Sequence, residues 1–201
     1  MFITFEGPEG CGKSTHIQLA KDYLESKGFS VVLTREPGAT PNGEKIREIL
    51  LHSNEKLDSI SELCLFEADR AENVTKVIVP GLKQGKIVIS DRYVDSTVSY
   101  QIGGRGLAED MVRYLNMLAI KGVMPELTIL LDISPEVGLK RAAIKGVADN
   151  FEKEKLEFHK RVREKFMEIA KNSPDRVVVI NSESPIETVQ AQIRKAIDAK
   201  L

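Results

Sequence analysis

A glycine-rich segment near the start of the chain, 5-FEGPEGCGKST-15, carries residues suited to binding phosphate. Residues 7–14 have the spacing G-x-x-x-x-G-K-[ST], in which glycines turn backbone N–H groups toward a phosphate and the following helix adds its positive end. In such a loop Lys13 reaches the β and γ phosphates, and Ser14 places its hydroxyl on Mg²⁺. The segment therefore predicts a nucleoside triphosphate site. Glu9 needs a separate explanation, because an anion inside a phosphate loop opposes its ligand.

The elements that must position this loop are visible in the hydrophobic pattern. Five apolar, β-branched runs recur: 2-FITF-5, 29-FSVVLT-34, 86-KIVIS-90, 127-LTILLDI-133 and 176-RVVVIN-181. Segments with helical spacing alternate with them, at about 14–28, 43–52, 59–84, 107–120, 135–145, 151–171 and 185–200. This alternation predicts a three-layer α/β fold, with a five-stranded parallel sheet covered by helices on both faces. We find no linker and predict a single domain, residues 1–201.

Ligands of such sheets bind beyond the C-terminal ends of the strands. Three of the predicted strand ends carry polar or glycine-containing segments: Glu6-Gly7, 35-REPG-38 and 91-DRY-93. The chemistry is therefore expected to converge at this edge of the sheet.

Composition excludes several classes of protein. The chain has 29 basic and 30 acidic side chains and a net charge of -1, so it lacks the basic excess of most nucleic-acid binders. No apolar run approaches the ~20 residues that a membrane span needs. The start of the chain lacks the features of a secretion signal, and the two cysteines, Cys11 and Cys64, have no metal-ligand spacing. We expect both thiols to be reduced and the protein to be cytoplasmic, without a nucleic-acid or membrane partner.

Phosphate loops occur in GTPase switches, motor ATPases and small kinases. The chain has no N-K-x-D segment to read guanine, and it lacks the length and further motifs of a motor. A small kinase needs a second anion site for the accepting phosphate, and arginine suits that role because its planar fork pairs with phosphate oxygens. Of the candidates Arg35, Arg70, Arg92 and Arg105, Arg92 is favoured because it follows a strand and an aspartate at the ligand edge.

The chain resembles the bacterial members of the thymidylate kinase family from end to end. The matching blocks are 4-TFEGPEGCGKST-15, 34-TREPG-38, 65-LFEADRA-71, 91-DRYVDSTVSYQIGGRG-106 and 131-LDISPEVGLKR-141. The resemblance implies the P-loop NTPase fold with a helical lid at about 140–154. It also implies a homodimer that transfers a phosphoryl group from ATP to dTMP with Mg²⁺.

The resemblance also implies an acceptor site. Phe66 would stack on thymine, and Arg70, one helical turn later, would donate to a base carbonyl. Arg92 would bind the 5′-phosphate, while Glu9 would face the acceptor, bind the sugar 3′-hydroxyl and support that arginine. The dTMP-binding residues expected in this way are Glu9, Arg35, Pro37, Phe66, Arg70, Arg92, Ser96, Thr97, Tyr100 and Gln101. Tyr100 would favour a deoxyribose.

The donor site is expected on the other side of the loop. The ATP-binding residues would be Gly7, Pro8, Glu9, Gly10, Cys11, Gly12, Lys13, Ser14, Thr15 and Arg141. Ser14 and Asp91 would serve Mg²⁺, the latter through water. Lys13, Arg92 and Glu9 are expected to act in catalysis, together with one lid cation. The lid has Ala143 and Asn150 where bacterial relatives commonly carry arginine, so we expect Lys145 to act there.

Two alternative functions stay open at this point. One is a small kinase for another nucleoside monophosphate or metabolite. The other is a regulator that binds or hydrolyses ATP without any acceptor. A phosphate loop is compatible with both.

Overall fold

A computed structural model describes residues 1–144 and 149–201 and contains the expected parallel sheet. Its strands are β1 (Phe2–Glu6), β2 (Val31–Arg35), β3 (Ile87–Asp91), β4 (Leu127–Asp132) and β5 (Val177–Asn181), in the order β2-β3-β1-β4-β5. The register pairs Phe5 and Arg35 with Asp91, so β1, β2 and β3 end at one edge. The predicted five-stranded parallel sheet is confirmed.

Helices lie on both faces of this sheet. They are α1 (Lys13–Ser26), α2 (Pro41–His52), α3 (Ser59–Asn73), α4 (Val79–Lys83), α5 (Val94–Thr97), α6 (Glu109–Ile120), α7 (Pro135–Ala143), α8 (Leu156–Asn172) and α9 (Ile186–Asp198). On one face α1 and α9 bury Leu24 and Ile193 against Ile3 of the central strand. On the other, α8 buries Phe166 near Leu130 of β4. Within the described ranges, no helix has the length and apolar character to cross a membrane.

The second strand and helix α8 begin later than predicted because local hydrogen bonds compete with regular structure. The second strand begins at Val31 rather than residue 29. The N–H groups of Gly28 and Phe29 donate instead to the carbonyl oxygens of Glu25 (2.9 Å) and Leu24 (3.1 Å), at the end of α1. The last long helix begins at Leu156 rather than residue 151. There the Asp149 carboxylate accepts from the N–H groups of Phe151 and Glu152 (2.8 and 2.9 Å), which holds a turn.

Wider, π-helical turns occur at two places. The predicted helix 59–84 is helical throughout, but Val74–Ile78 between α3 and α4 is π-helical. The second turn, Val98–Gly104, follows α5 directly, and no helix was predicted there. Packing explains this helix: a Cβ on Gly104 would lie 2.4 Å from the Phe158 ring, so the glycine lets the turn press against α8. Tertiary contact thus outweighs the poor helix propensity of glycine.

Candidate active site

The phosphate loop joins β1 to α1 and rests on the start of α7. Gly10 has a φ of 69°, and a Cβ there would lie 2.0 Å from the Gly138 carbonyl oxygen, so only glycine fits. Lys13 Nζ donates to the carbonyl oxygens of Gly7 (3.2 Å) and Pro8 (3.4 Å), while Ser14 is exposed at the helix N-terminus. Together the loop and the helix end form an anion site.

Arg92, directly after β3, is held in an uncommon backbone conformation. Its φ is 70°, in the left-handed region that residues other than glycine rarely occupy. Its N–H donates to the Phe5 carbonyl (2.9 Å), and its own carbonyl accepts from the Ser90 hydroxyl (2.7 Å). Such constrained positions cluster at functional sites. The turn aims the guanidinium at the phosphate loop, where it donates to the Gly7 carbonyl (3.1 Å) and the Ser96 hydroxyl (2.9 Å).

Glu9 is the partner of this arginine. Its Oε1 accepts from Arg92 Nη2 at 3.0 Å and from the Tyr100 hydroxyl at 2.5 Å. Burial pushes the pKa of the Glu9 carboxyl upward, but the charges of Arg92 and Lys13 outweigh it, so the pKa lies below its ordinary value. The acid in the phosphate loop is therefore ionised and paired with a cation from a neighbouring strand end, which answers the question that its presence raised.

An aromatic wall lies beyond these charges. Phe66 on α3 packs at a tilt against Phe151, with ring centroids 5.8 Å apart. Tyr100 meets the same Phe151 ring edge-on, also at 5.8 Å. The two contacts bring α3, the π-helical turn Val98–Gly104 and the segment before α8 together around one apolar surface. A flat, apolar ligand group can stack there.

Arg70 is fixed beside that wall. Its side chain is buried, and it donates from Nε to Glu36 (2.8 Å) and from Nη1 to Glu67 (2.8 Å), Thr97 (2.8 Å) and Asn116 (2.5 Å). Burial raises the pKa of Glu36 to about 7, even though Arg70 opposes the shift. Among the described residues, no side chain accepts from Nη2. A guanidinium held this rigidly presents its remaining N–H groups in one direction only.

Ser14 and Asp91, the two residues expected to serve Mg²⁺, both carry side-chain oxygen atoms. Asp91 ends β3 and carries a buried Oδ1 that has no hydrogen-bond partner within the described part of the chain. Both residues line the same cavity. A buried carboxylate oxygen without a partner, together with a hydroxyl, matches the hard oxygen ligands that Mg²⁺ prefers. These two residues fit the ion.

The central groups of the site line one cavity of ≈ 320 Å³, namely Glu9, Lys13, Ser14, Phe66, Arg70, Asp91, Arg92 and Tyr100. Such a volume lies at the lower end of the range for small-molecule sites, and perturbed carboxyl pKa values in a cleft mark a functional site. Its two ends differ, with the phosphate loop at one and the aromatic wall at the other, and Arg92 and Glu9 lie between them.

Comparison with known proteins assigns the family. The sequence profile of thymidylate kinases matches residues 5–193. The chain is 46% identical to the thymidylate kinase of Kosmotoga olearia over 97% of this chain and 94% of that protein. For a thymidylate kinase of Sulfurihydrogenibium sp. the identity is 50%, over 90% and 88%. The crystal structure of thymidylate kinase from Ehrlichia chaffeensis matches with a TM-score of 0.81 at 39% identity, over 98% of both chains. The chain belongs to the thymidylate kinase family.

Most residues that the family resemblance implied lie around the cavity. The lining includes Glu9, Gly10, Cys11, Gly12, Lys13, Ser14, Arg35, Pro37, Phe66, Arg70, Asp91, Arg92, Ser96, Thr97, Tyr100 and Gln101. Arg35 differs from the others because its exposed Nη2 donates to Glu44 at 2.6 Å, which turns it partly away. The structure thus brings residues from four of the five blocks of the thymidylate kinase pattern, 4–15, 34–38, 65–71 and 91–106, to one place.

Four of the expected donor residues, Gly7, Pro8, Thr15 and Arg141, do not line this cavity within the described part of the chain. Arg141 on α7 instead donates to the Ser182 carbonyl at 3.1 Å, and so adjoins the loop after β5. Lys145, the expected lid cation, lies outside the described residues.

Arg47 was missed by the sequence analysis. It lies on α2, lines the cavity and donates to the Pro37 carbonyl at 2.8 Å. Burial lowers the pKa of Arg47, as does the charge of Arg35, and no carboxylate in the described ranges forms an ion pair with it. A basic residue on an amphipathic helix is ordinarily solvated, so nothing in the spacing marked it. Only the turn at Glu36–Pro37 brings it to the site.

Proposed function

We propose that this protein transfers the γ-phosphoryl group of ATP to dTMP, giving ADP and dTDP, with Mg²⁺ as the cofactor. The observation that supports this most directly is the cavity in which a phosphate loop faces Arg92 across Glu9 and ends on an aromatic wall. A hydrolase or a regulator needs the loop alone. A phosphotransferase needs both anion sites in one place.

The acceptor would lie with its base on Phe66 and its phosphate against Arg92. Arg70 donates to a base carbonyl, and Glu9 accepts from the sugar 3′-hydroxyl. Tyr100, whose hydroxyl is held by Glu9 and Arg92, packs on the sugar where a 2′-hydroxyl would collide. Arg47 is a second cation for the acceptor phosphate, because its guanidinium lines the cavity without an acidic partner in the described ranges.

The donor would bind through the loop backbone, with Arg141 against adenine. Mg²⁺ held by Ser14 and, through water, by Asp91 would neutralise charge on the β and γ phosphates. Lys13 neutralises charge on the same phosphates, and we assign Lys145 the role of the lid cation. No general base is needed, because a nucleotide phosphate has a second pKa of about 6 and is already an anionic nucleophile. Catalysis is then alignment and charge neutralisation.

The homodimer would use exposed apolar residues of α6. Tyr114 and Met117 are 65% and 62% exposed, and Leu118 is 56% exposed on the same helix. Such a patch is unusual on a monomer and typical of an interface. Sedimentation velocity of the wild type and of Met117→Lys tests this, with a shift from dimer to monomer expected for the variant.

An acceptor panel tests the proposed reaction. ADP release is measured with ATP, Mg²⁺ and dTMP, dUMP, dCMP, AMP, CMP or GMP, with Lys13→Ala as the inactive control. We expect dTMP to rank first, and dUMP to be used as well, because one methyl group is worth only ~1–3 kcal/mol. If dTMP ranks below CMP, AMP or GMP, the protein is a different monophosphate kinase. Turnover indifferent to dTMP would instead indicate an acceptor-independent ATPase.

A further inference from the structure

The amide of Gln101 is held in one orientation at the wall of the cavity. The side chain is fully buried, and its Nε2 donates to Glu62 Oε1 at 2.9 Å. Its other polar atom, Oε1, is buried without a hydrogen-bond partner among residues 1–144 and 149–201. Buried polar atoms are almost always paired, so an orphaned acceptor in a residue that lines a ligand cavity calls for a partner from the ligand.

Glu62 forces this orientation. A carboxylate can only accept, so the amide must turn its NH₂ group toward Glu62 and its oxygen away. Glu62 itself cannot rotate, because Arg105 donates to both of its oxygens, from Nε and Nη2, each at 2.9 Å. The Arg105 guanidinium is in turn packed over the rings of Phe151 (5.3 Å) and Phe158 (4.8 Å). The chain Arg105–Glu62–Gln101 is therefore rigid along its length.

The fixed acceptor lines the same cavity as a fixed donor, Arg70. Gln101 follows Thr97 by four residues on the same helical segment, and Thr97 accepts from Arg70 at 2.8 Å. Arg70 presents N–H groups, and Gln101 presents a carbonyl oxygen. A base edge that pairs with both must offer an acceptor beside a donor. The O4 and N3–H of thymine and uracil have this pattern, whereas cytosine offers an amine and an unprotonated N3.

We propose that Glu62 is a positioning residue that determines base specificity, by locking the Gln101 carbonyl toward the N3 position of the acceptor base. The inference rests on the proposed function, since it assumes a pyrimidine monophosphate in this cavity. Glu62 touches no reacting atom. It acts through Gln101, and Arg105 acts one step further away by holding Glu62.

The test compares the wild type with Glu62→Gln, which has the same shape but can donate as well as accept. The amide of Gln101 is then free to flip and to donate to N3 of cytosine. We expect the ratio of kcat/KM for dUMP to that for dCMP to fall about tenfold or more, the KM for dTMP to rise, and kcat to change by less than about threefold. Glu157→Gln on the exposed surface of α8 is the matched control and should leave both quantities unchanged.

A folded Glu62→Gln variant with an unaltered dUMP:dCMP ratio would overturn the inference. Arg105→Lys provides a second test in case Glu62→Gln does not fold. Thermal melts check the folding of both variants. Arg105→Lys leaves Glu62 and Gln101 in place but removes the two-point contact of Arg105 with the Glu62 carboxylate. It should lower the dUMP:dCMP ratio of kcat/KM by a smaller factor. A folded Arg105→Lys variant with an unchanged ratio would also contradict the inference. If the wild type phosphorylates dTMP but uses dCMP as efficiently as dUMP, the specificity inference alone is refuted. A wild type inactive on dTMP refutes the proposed function.

Discussion

Removing the Arg92 guanidinium tests the geometry at the centre of the cavity. In Arg92→Ala the acceptor phosphate would lose the charge-assisted hydrogen bonds that we propose Arg92 donates, which are worth ~1.5–3 kcal/mol each. Loss of one such bond corresponds to a rise in the KM for dTMP of about ten- to 150-fold. The KM for ATP should stay within about twofold, because in the proposed complex the loop and Lys13, not Arg92, hold the donor phosphates.

The same substitution also leaves Glu9 without its nearest cation. Breaking a buried ion pair costs about 3–5 kcal/mol, but both side chains are 17% exposed and Tyr100 still donates to Glu9. We therefore expect a smaller loss of about 1–2 kcal/mol, which lowers the Tm by about 2–8 °C. Differential scanning fluorimetry measures this loss separately from the kinetic effect.

Two further variants make the measurement specific. Arg92→Lys keeps the charge but not the planar fork, so the KM for dTMP should lie between the values of the wild type and of Arg92→Ala. Arg194→Ala, on the exposed surface of α9, removes an arginine outside the site and should behave as the wild type. The reasoning is refuted if folded Arg92→Ala binds dTMP normally, or if the KM for ATP rises instead.

Three other predictions concern protonation, the metal and the lid. Burial, together with the charge of Asp95, raises the pKa of the Glu6 carboxyl from 4.5 to about 8. Between these two pH values the native state keeps a proton that the unfolded chain has lost. The resulting contribution to the unfolding free energy is complete below about pH 4.5 and is lost as the pH rises through 8. The unfolding free energy of the wild type should therefore fall between about pH 5 and 8 by a few kcal/mol more than that of Glu6→Gln, as measured by urea titrations. Parallel pH dependences of the two proteins would contradict this. Asp91→Asn should raise the Mg²⁺ concentration for half-maximal activity about tenfold at unchanged KM for dTMP, and an unaltered Mg²⁺ requirement would exclude Asp91. Lys145→Ala should lower kcat with dTMP binding preserved in calorimetry, whereas a normal rate would eliminate this lysine.

Local sequence was sufficient for the five strands, for most of the helices and for the phosphate loop. The inner strands β1, β3 and β4 are short, mostly apolar runs that are almost fully buried, and the edge strands β2 and β5 are apolar but only partly buried. Hydrophobic pattern records such burial directly. The loop depends on backbone N–H groups and glycines that are contiguous in the chain, so its function is legible without any tertiary contact. The helix at 94–104 was missed for the opposite reason, since Gly103 and Gly104 have little helix propensity and are helical only because α8 packs on them.

The pairings within the site were decided by the tertiary structure. Glu9 meets Arg92, 83 residues away, because parallel register brings the ends of β1 and β3 to the same edge. Arg47 reaches the cavity only through the chain reversal before α2, where it donates to the Pro37 carbonyl. Glu62 orients Gln101 only because α3 packs beside the π-helical turn Val98–Gly104. Residue type sets which bonds a side chain can make, but the fold decides which partner is within reach, and that partner sets charge state and orientation.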